Sequence, residues 1–195
     1  MYNLFLDLET TGLPETNSFH KYYDYKLTDK YDNSRIISIC IYLYDDNEKL
    51  IEKFYTLIKP VNFEIKNTEI HGLTTEKLLS EGKEWGEIIE QIQEIIKKSK
   101  LIIGHNVNFD KNVLCSDLYR NNYHSVANII FQKETYCTMI NGKNITKIES
   151  KYDYKYPKLS ELYKHFFKED IQNHHNAEYD VMNCAKCYFK MFKGL

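Results

Sequence analysis

The sequence predicts an α/β domain built on a mixed sheet. Three observations lead there. Three apolar, β-rich runs fall within residues 2–58. From residue 75 onward, helix-period segments alternate with short apolar runs. At 195 residues, the chain suits one domain spanning 1–195. A chain of that size buries roughly 70% of its unfolded surface, so no disulfide staple is required.

The elements follow in order. Residues 2–8 are apolar and β-favouring and end at the Thr-Thr-Gly-Leu-Pro turn of residues 10–14, which marks a strand and then a loop. The stretch at about 14–34 is polar, Tyr-rich and aperiodic and reads as a long loop or insertion. Residues 35–44 and 49–58 are two further strands, joined by a hairpin turn at Asp45-Asp46-Asn47-Glu48 and closed by Pro60. These three strands imply an antiparallel meander. Residues 75–80 and 85–98 have helical spacing, with Ile88, Ile92, Ile95 and Ile96 on one side. Residues 101–104 read as a short buried strand and 108–121 as a helix. Residues 128–131 and 135–140 read as short strands, and 141–157 as irregular. Residues 158–168 and 177–192 complete the pattern as two helices.

The composition narrows the function classes. Net charge is −2, so a nucleic-acid partner would have to be held by metal ions and local Lys patches rather than by a basic surface. The five cysteines, Cys40, Cys115, Cys137, Cys184 and Cys187, have no regular spacing and read as reduced thiols in an intracellular setting, cytoplasmic or nuclear. Cys184 and Cys187 share a helix face and read as small core residues; no second pair completes a zinc site. Neither a signal peptide nor a membrane span is expected, and no membrane partner.

Three acidic groups carry the chemistry. Side chains alternate along a strand, so Asp7 and Glu9 project from one face while Leu6 and Leu8 take the other. Two carboxylates side by side at a buried strand end repel each other, and a divalent cation removes that repulsion. Gly12 permits close backbone approach, and the Thr10 and Thr11 hydroxyls suit a phosphate or a terminal sugar. In G-H-N-V-N-F-D (104–110), Asn106 or Asn108 is placed to cap a helix, with Asp110 in its first turn near a strand's carboxyl end. In H-N-A-E-Y-D (175–180), His175 and Asp180 are separated by about 140° on a helix, so His175 must precede the helix for both to reach one cleft. A neutral His has the pKa to take a proton from water.

Taken together, residues 7–12 (D-L-E-T-T-G), Asp110 within H-N-V-N-F-D, and His175 with Asp180 resemble the three motifs of the DnaQ-like, DEDDh 3′→5′ exonuclease superfamily. I-H-G-L-T (70–74) resembles its substrate-side loop, and R-I-I-S-I (35–39) its second strand. The resemblance spans nearly the whole chain. It implies a ribonuclease H-like fold with a five-stranded mixed sheet flanked by helices. It implies two divalent cations, Mg²⁺ or Mn²⁺, held by Asp7, Glu9, Asp110 and Asp180, with His175 as general base. Asp7, in the central strand, is the expected bridging ligand. The sister subclass has a Tyr four residues before the last Asp, where this chain has Asn176, and His174 lacks the matching spacing.

By the same resemblance, Thr10, Thr11, Gly12, Leu13, His71, Leu73 and Asn106 line the site of the terminal nucleotide. The implied substrate is nucleic acid with a free 3′ end, single-stranded favoured, with a polymerase or another nucleic-acid-processing protein as a conceivable partner. Two alternatives keep the same fold: a nuclease for short RNAs, and a catalytically silent nucleic-acid-binding or docking module. Tyr22, Tyr23 and Tyr25 are placed either to stack on single-stranded bases or to pack within the long loop. Tyr179 is expected to pack. Family members often carry an acid before a Thr where this chain has Cys137-Thr138.

Overall fold

The computed structural model describes residues 1–18, 20–171 and 177–193, with the side chains of residues 70 and 193 excepted. His174, His175 and Asn176 therefore lie outside the described residues. A five-stranded sheet forms the centre, from β1 (Tyr2–Thr10), β4 (Ile36–Tyr44), β5 (Leu50–Leu57), β6 (Ser99–Gly104) and β7 (Thr135–Cys137), in the order β5-β4-β1-β6-β7. β1 is antiparallel to β4 and parallel to β6; β4 and β5 are antiparallel, and β6 and β7 parallel. The expected meander and mixed sheet are both present. The β4–β5 turn is tied by Asp45, whose carboxylate accepts the N–H groups of Asn47 and Lys49.

Helices cover both faces. α3 (Trp85–Lys98), α4 (Val107–Arg120) and α5 (His124–Gln132) pack on the face carrying Leu4, Leu6 and Leu8. α8 (Ala177–Lys193) packs on the opposite face against Phe5, Cys40, Tyr42 and Ile103. Phe5, Asp7 and Glu9 thus point toward α8, as period two requires. Short helices α1 (Thr68–His71) and α2 (Thr75–Glu81) follow β5. α6 (Thr138–Thr146) and α7 (Leu159–Phe167) precede α8. Cys184 and Cys187 are buried and free, as expected of core residues.

Three segments differ from the sequence expectation. Residues 128–131 belong to α5, where Val126, Ala127 and Ile130 are buried together. A four-residue apolar run cannot separate strand from helix, and here packing on α4 decides. The strand expected at 135–140 ends at Cys137, and the stretch 141–157, expected to be irregular, opens within α6. Asn141 and Gly142 disfavour helix intrinsically, but Gly142 lets α6 close on Pro157 and Leu162, where an added Cβ would stand 3.1 Å from either side chain.

The segment 14–34 is not a featureless loop. It contains a small hairpin of β2 (Thr16–Ser18) and β3 (Lys21–Tyr22) and a 3-10 turn over Thr28–Tyr31. Tyr25 stacks near Phe131 at 4.8 Å, the Tyr31 hydroxyl donates to Tyr23 O at 2.6 Å, and Arg120 holds Asp32 at 2.7 Å. Local aperiodicity hid these contacts: two of them reach α4 and α5, and the third joins residues eight apart within the segment.

Candidate active site

The site forms where β1 outruns its neighbour. β6 pairs with β1 only as far as Phe5↔Ile103 and ends at Gly104. A Cβ on Gly104 would stand 3.1 Å from Leu6 O, so glycine lets the chain turn away close beside β1. Beyond that point the β6 side of β1 has no strand partner among the described residues. The backbone N–H groups of Leu8 and Asp110 lie beside the Asp110 carboxylate and lower its pKa, against the larger effect of burial. Asp110, in the first turn of α4, is only 3% exposed beside the end of β1. Asn106 occupies the position before α4 in a left-handed conformation (φ 74°), and its side chain makes no capping hydrogen bond. The expected cap is therefore positional only.

On the α8 side, carboxylate oxygens of Asp7, Glu9 and Asp180 lie within 4.8 Å of one another. Asp180 sits in the first turn of α8. Glu178, two residues earlier, accepts a 2.6 Å hydrogen bond from the Tyr42 hydroxyl on β4. This tie between helix start and sheet was missed from sequence, because Tyr42 lies within an apolar strand and carries no local sign of a polar task. Tyr179 is 42% exposed and does not pack as expected.

The electrostatics are one-sided. Burial, then Asp110, Glu9 and Asp180, hold Asp7 well above the carboxylate range. Burial and Asp180 push Glu9 up to about 7. Burial, with Glu9 adding to it, pushes Asp110 up to about 8, although the two N–H groups pull the other way. Every charged side chain acting on Asp7, Glu9 and Asp110, among the described residues, is another carboxylate. Such a set favours either protons or a hard divalent cation. The donor set, all carboxylate oxygen, fits the cation.

The residues expected around a terminal nucleotide fall into two groups. Leu13 is 76% exposed at the lip of the β1 loop, and Thr10 donates to Gly12 O. Thr11, by contrast, is buried and fully engaged: its hydroxyl donates to Asn33 O and accepts from the Arg35 N–H, and its carbonyl accepts from Asn67. A Cβ on Gly12 would meet Asn33 O at 2.8 Å, so glycine is required by the chain's own packing. His71 is locked by backbone at both ring nitrogens. Leu73 N–H donates to Nδ1, which leaves Nε2 to donate to Lys66 O at 2.9 Å. Leu73 packs with Ile37, Leu57 and Leu78.

His105 was also missed. Burial lowers its pKa to about 4. Pro157 O can only accept, so Nε2 carries the proton and Nδ1 faces the Thr138 hydroxyl. Thr138 is buried and also bonds Gly104 O, which gives this half of Cys137-Thr138 a role in fastening α6 to the exit of β6.

A cluster of carboxylates at the carboxyl end of a central strand, in a ribonuclease H-like sheet flanked by helices, is the arrangement of a nuclease. The chain belongs to the RNase T exonuclease family, whose model matches residues 4–188. Among curated proteins none matches it. Two solved structures are similar in fold. Exonuclease I of E. coli in complex with a dT13 oligonucleotide has a TM-score of 0.73 at 18% identity, covering 99% of this chain and 43% of its own. Exonuclease X in complex with 5′ overhanging duplex DNA has a TM-score of 0.60 at 18% identity, covering 99% of this chain and 93% of its own. The chain thus spans less than half the length of exonuclease I. No helix among the described residues is long and apolar enough to cross a membrane.

Proposed function

We propose that this protein is a two-metal-ion 3′→5′ exonuclease that releases nucleoside 5′-monophosphates from a nucleic-acid end. One observation carries the proposal: Asp7, on the central strand, is acted on by Glu9, Asp110 and Asp180 from three separate elements, and carboxylate oxygens of Asp7, Glu9 and Asp180 lie within 4.8 Å of one another. These four would hold Mg²⁺ or Mn²⁺. When bound, such ions acidify water and neutralise charge on the scissile phosphate and the leaving 3′ oxygen.

The protein's own groups have separable tasks. Asp7, from the central strand, is the acid shared by the whole cluster. The Leu8 N–H lies beside the Asp110 carboxylate and lowers its pKa. Tyr42, through Glu178, holds the start of α8 and with it Asp180. His175, five residues before Asp180 in sequence, takes the proton from the attacking water. Single-stranded nucleic acid with a free 3′ end is the favoured substrate, consistent with the oligonucleotide in the exonuclease I complex.

The test is degradation of single- and double-stranded DNA and RNA labelled at either end. Mg²⁺-dependent release of the 3′-terminal mononucleotide is expected, abolished by EDTA. Removal from the 5′ end, internal cutting, or full activity in EDTA would contradict the proposal.

A further inference from the structure

The tyrosines of segment 14–34 do not share one environment. Tyr25 is buried against Phe131, Tyr31 is buried with its hydroxyl on Tyr23 O, and the Tyr23 ring is covered by Lys30 Nζ at 5.5 Å. Tyr22 is different. It is half-buried on β3, its ring meets Phe109 at 6.4 Å, and its hydroxyl faces the side chain of Asn106 within the field of Asp110. Among the described residues, the hairpin that carries it pairs with itself, as a two-stranded sheet outside the central one. It is nevertheless fastened at its tip, where His20 meets Tyr156 edge-on at 5.7 Å.

Between this hairpin and the outer side of the first turns of α4 lies a cavity of about 480 Å³. Asn17, Lys21, Tyr22, Asn108, Lys111 and Asn112 line it, with Phe131 behind them. Among the described residues, no carboxylate contributes to the lining. That is unusual for a chain of net charge −2, one helical turn from four clustered acids. Lys111 is held in place: Nζ donates to Lys133 O at 2.9 Å and stands 5.2 Å from the centre of the Phe131 ring. Lys21 is exposed on the hairpin. Two ammonium groups, three side-chain amides and an aromatic ring match a ligand with an anionic group, hydrogen-bonding edges and a flat face. A nucleotide has all three.

We propose that this cavity holds a nucleotide of the substrate strand upstream of the terminal one, its phosphate on Lys21 and Lys111 and its base against Tyr22. The inference rests on the exonuclease reading and adds to it a dependence on strand length. A strand long enough to pass over the α4 N-terminus gains contacts that a dinucleotide cannot reach. Tyr22 and Lys21 are binding residues here and take no part in the chemistry.

The experiment compares KM and kcat for a ten-nucleotide dT or rU strand with those for a dinucleotide, in Mg²⁺ and over a range of salt. Lys21→Ala should raise KM for the long strand about 3–10-fold. It should also reduce the slope of log(kcat/KM) against log[salt] by about 0.7, the value for one phosphate contact on a single strand. Tyr22→Leu should raise KM about 10-fold, as loss of one stacking contact does. Tyr22→Phe should restore it. Lys21→Ala should hydrolyse the dinucleotide as the unaltered protein does. Unchanged KM and salt slope in Lys21→Ala and Tyr22→Leu would overturn the inference and leave the exonuclease reading standing. Equal defects in Tyr22→Phe and Tyr22→Leu would replace base stacking by mere anchoring of the hairpin on Asn106. If the unaltered protein degrades no strand at all, the exonuclease reading falls, and this inference with it.

Discussion

Asp110 and Asp117 lie seven residues apart on α4, almost on one helical face, and both are buried, at 3% and 4% exposure. Their surroundings are opposite. Asp117 has a counter-charge built in: Arg35 Nε at 2.6 Å, with the Ile36 N–H at 2.9 Å on its other oxygen. Burial pushes its pKa up, and Arg35 pulls it back. Asp110 has backbone N–H groups and other acids, and nothing positive among the groups acting on it. One helix thus carries a carboxylate satisfied by the fold and another left for something outside the fold to satisfy. A buried carboxylate with no counter-charge is costly to ionise, and such groups cluster at functional sites.

The largest expected effect breaks the acidic cluster. Asp7→Ala, Asp110→Ala or Asp180→Ala should lower Mg²⁺-dependent release of mononucleotides by roughly 10³-fold or more while the circular dichroism spectrum is retained. An active variant with an intact fold would remove that acid from the site. Asp117→Ala should do the reverse. It leaves Arg35 buried and unpaired, so denaturant unfolding should report a loss of about 3–5 kcal/mol, with kcat in the surviving folded fraction little changed.

The comparison also fixes a pH dependence. In the metal-free folded protein, Glu9 and Asp110 keep their protons up to about 7 and about 8, against ordinary values of 4.5 and 3.8. Over that window the folded state binds more protons than the unfolded one, so stability should fall as pH rises from about 4.5 to 8. For Glu9 alone the loss is on the order of 2–3 kcal/mol. Asp110→Asn should flatten the fall, and saturating Mg²⁺ should offset it by binding only the folded state. Melting temperatures measured in EDTA that climb with pH would show the acids to be neutralised already. The smallest effect is expected at the tie between sheet and helix. Tyr42→Phe removes the hydroxyl on Glu178 at a cost of about 1–2 kcal/mol and should lower kcat several-fold with KM unchanged.

Much of this was legible in the chain. Period two placed Asp7 and Glu9 on one face because strand geometry leaves no other choice, and residues 85–98 declared their helix through Ile88, Ile92, Ile95 and Ile96. What stayed hidden depends on contacts between distant elements. The Leu8 N–H lies beside Asp110 because β6 ends before β1 does, and no local pattern encodes where a neighbouring strand stops. Tyr42 and Glu178 meet across 136 residues. His105 looked like part of a motif and proved to be a neutral brace between Thr138 and Pro157. Residues 128–131 read as strand because a short apolar run has no period of its own. The 14–34 segment read as loop because its hairpin is only two or three residues a side and its remaining order is partly supplied by α4 and α5.

The central claim is that the fold leaves a set of carboxylates to be neutralised by divalent cations from solution. Calorimetric titration of Mn²⁺ into the metal-free protein at pH 7.5 tests it most directly. About two ions should bind per chain with release of protons, and Asp7→Asn should lose that binding while being more stable than the unaltered protein in EDTA. Absence of saturable binding, or an Asp7→Asn variant that binds Mn²⁺ as well as the parent, would contradict the account.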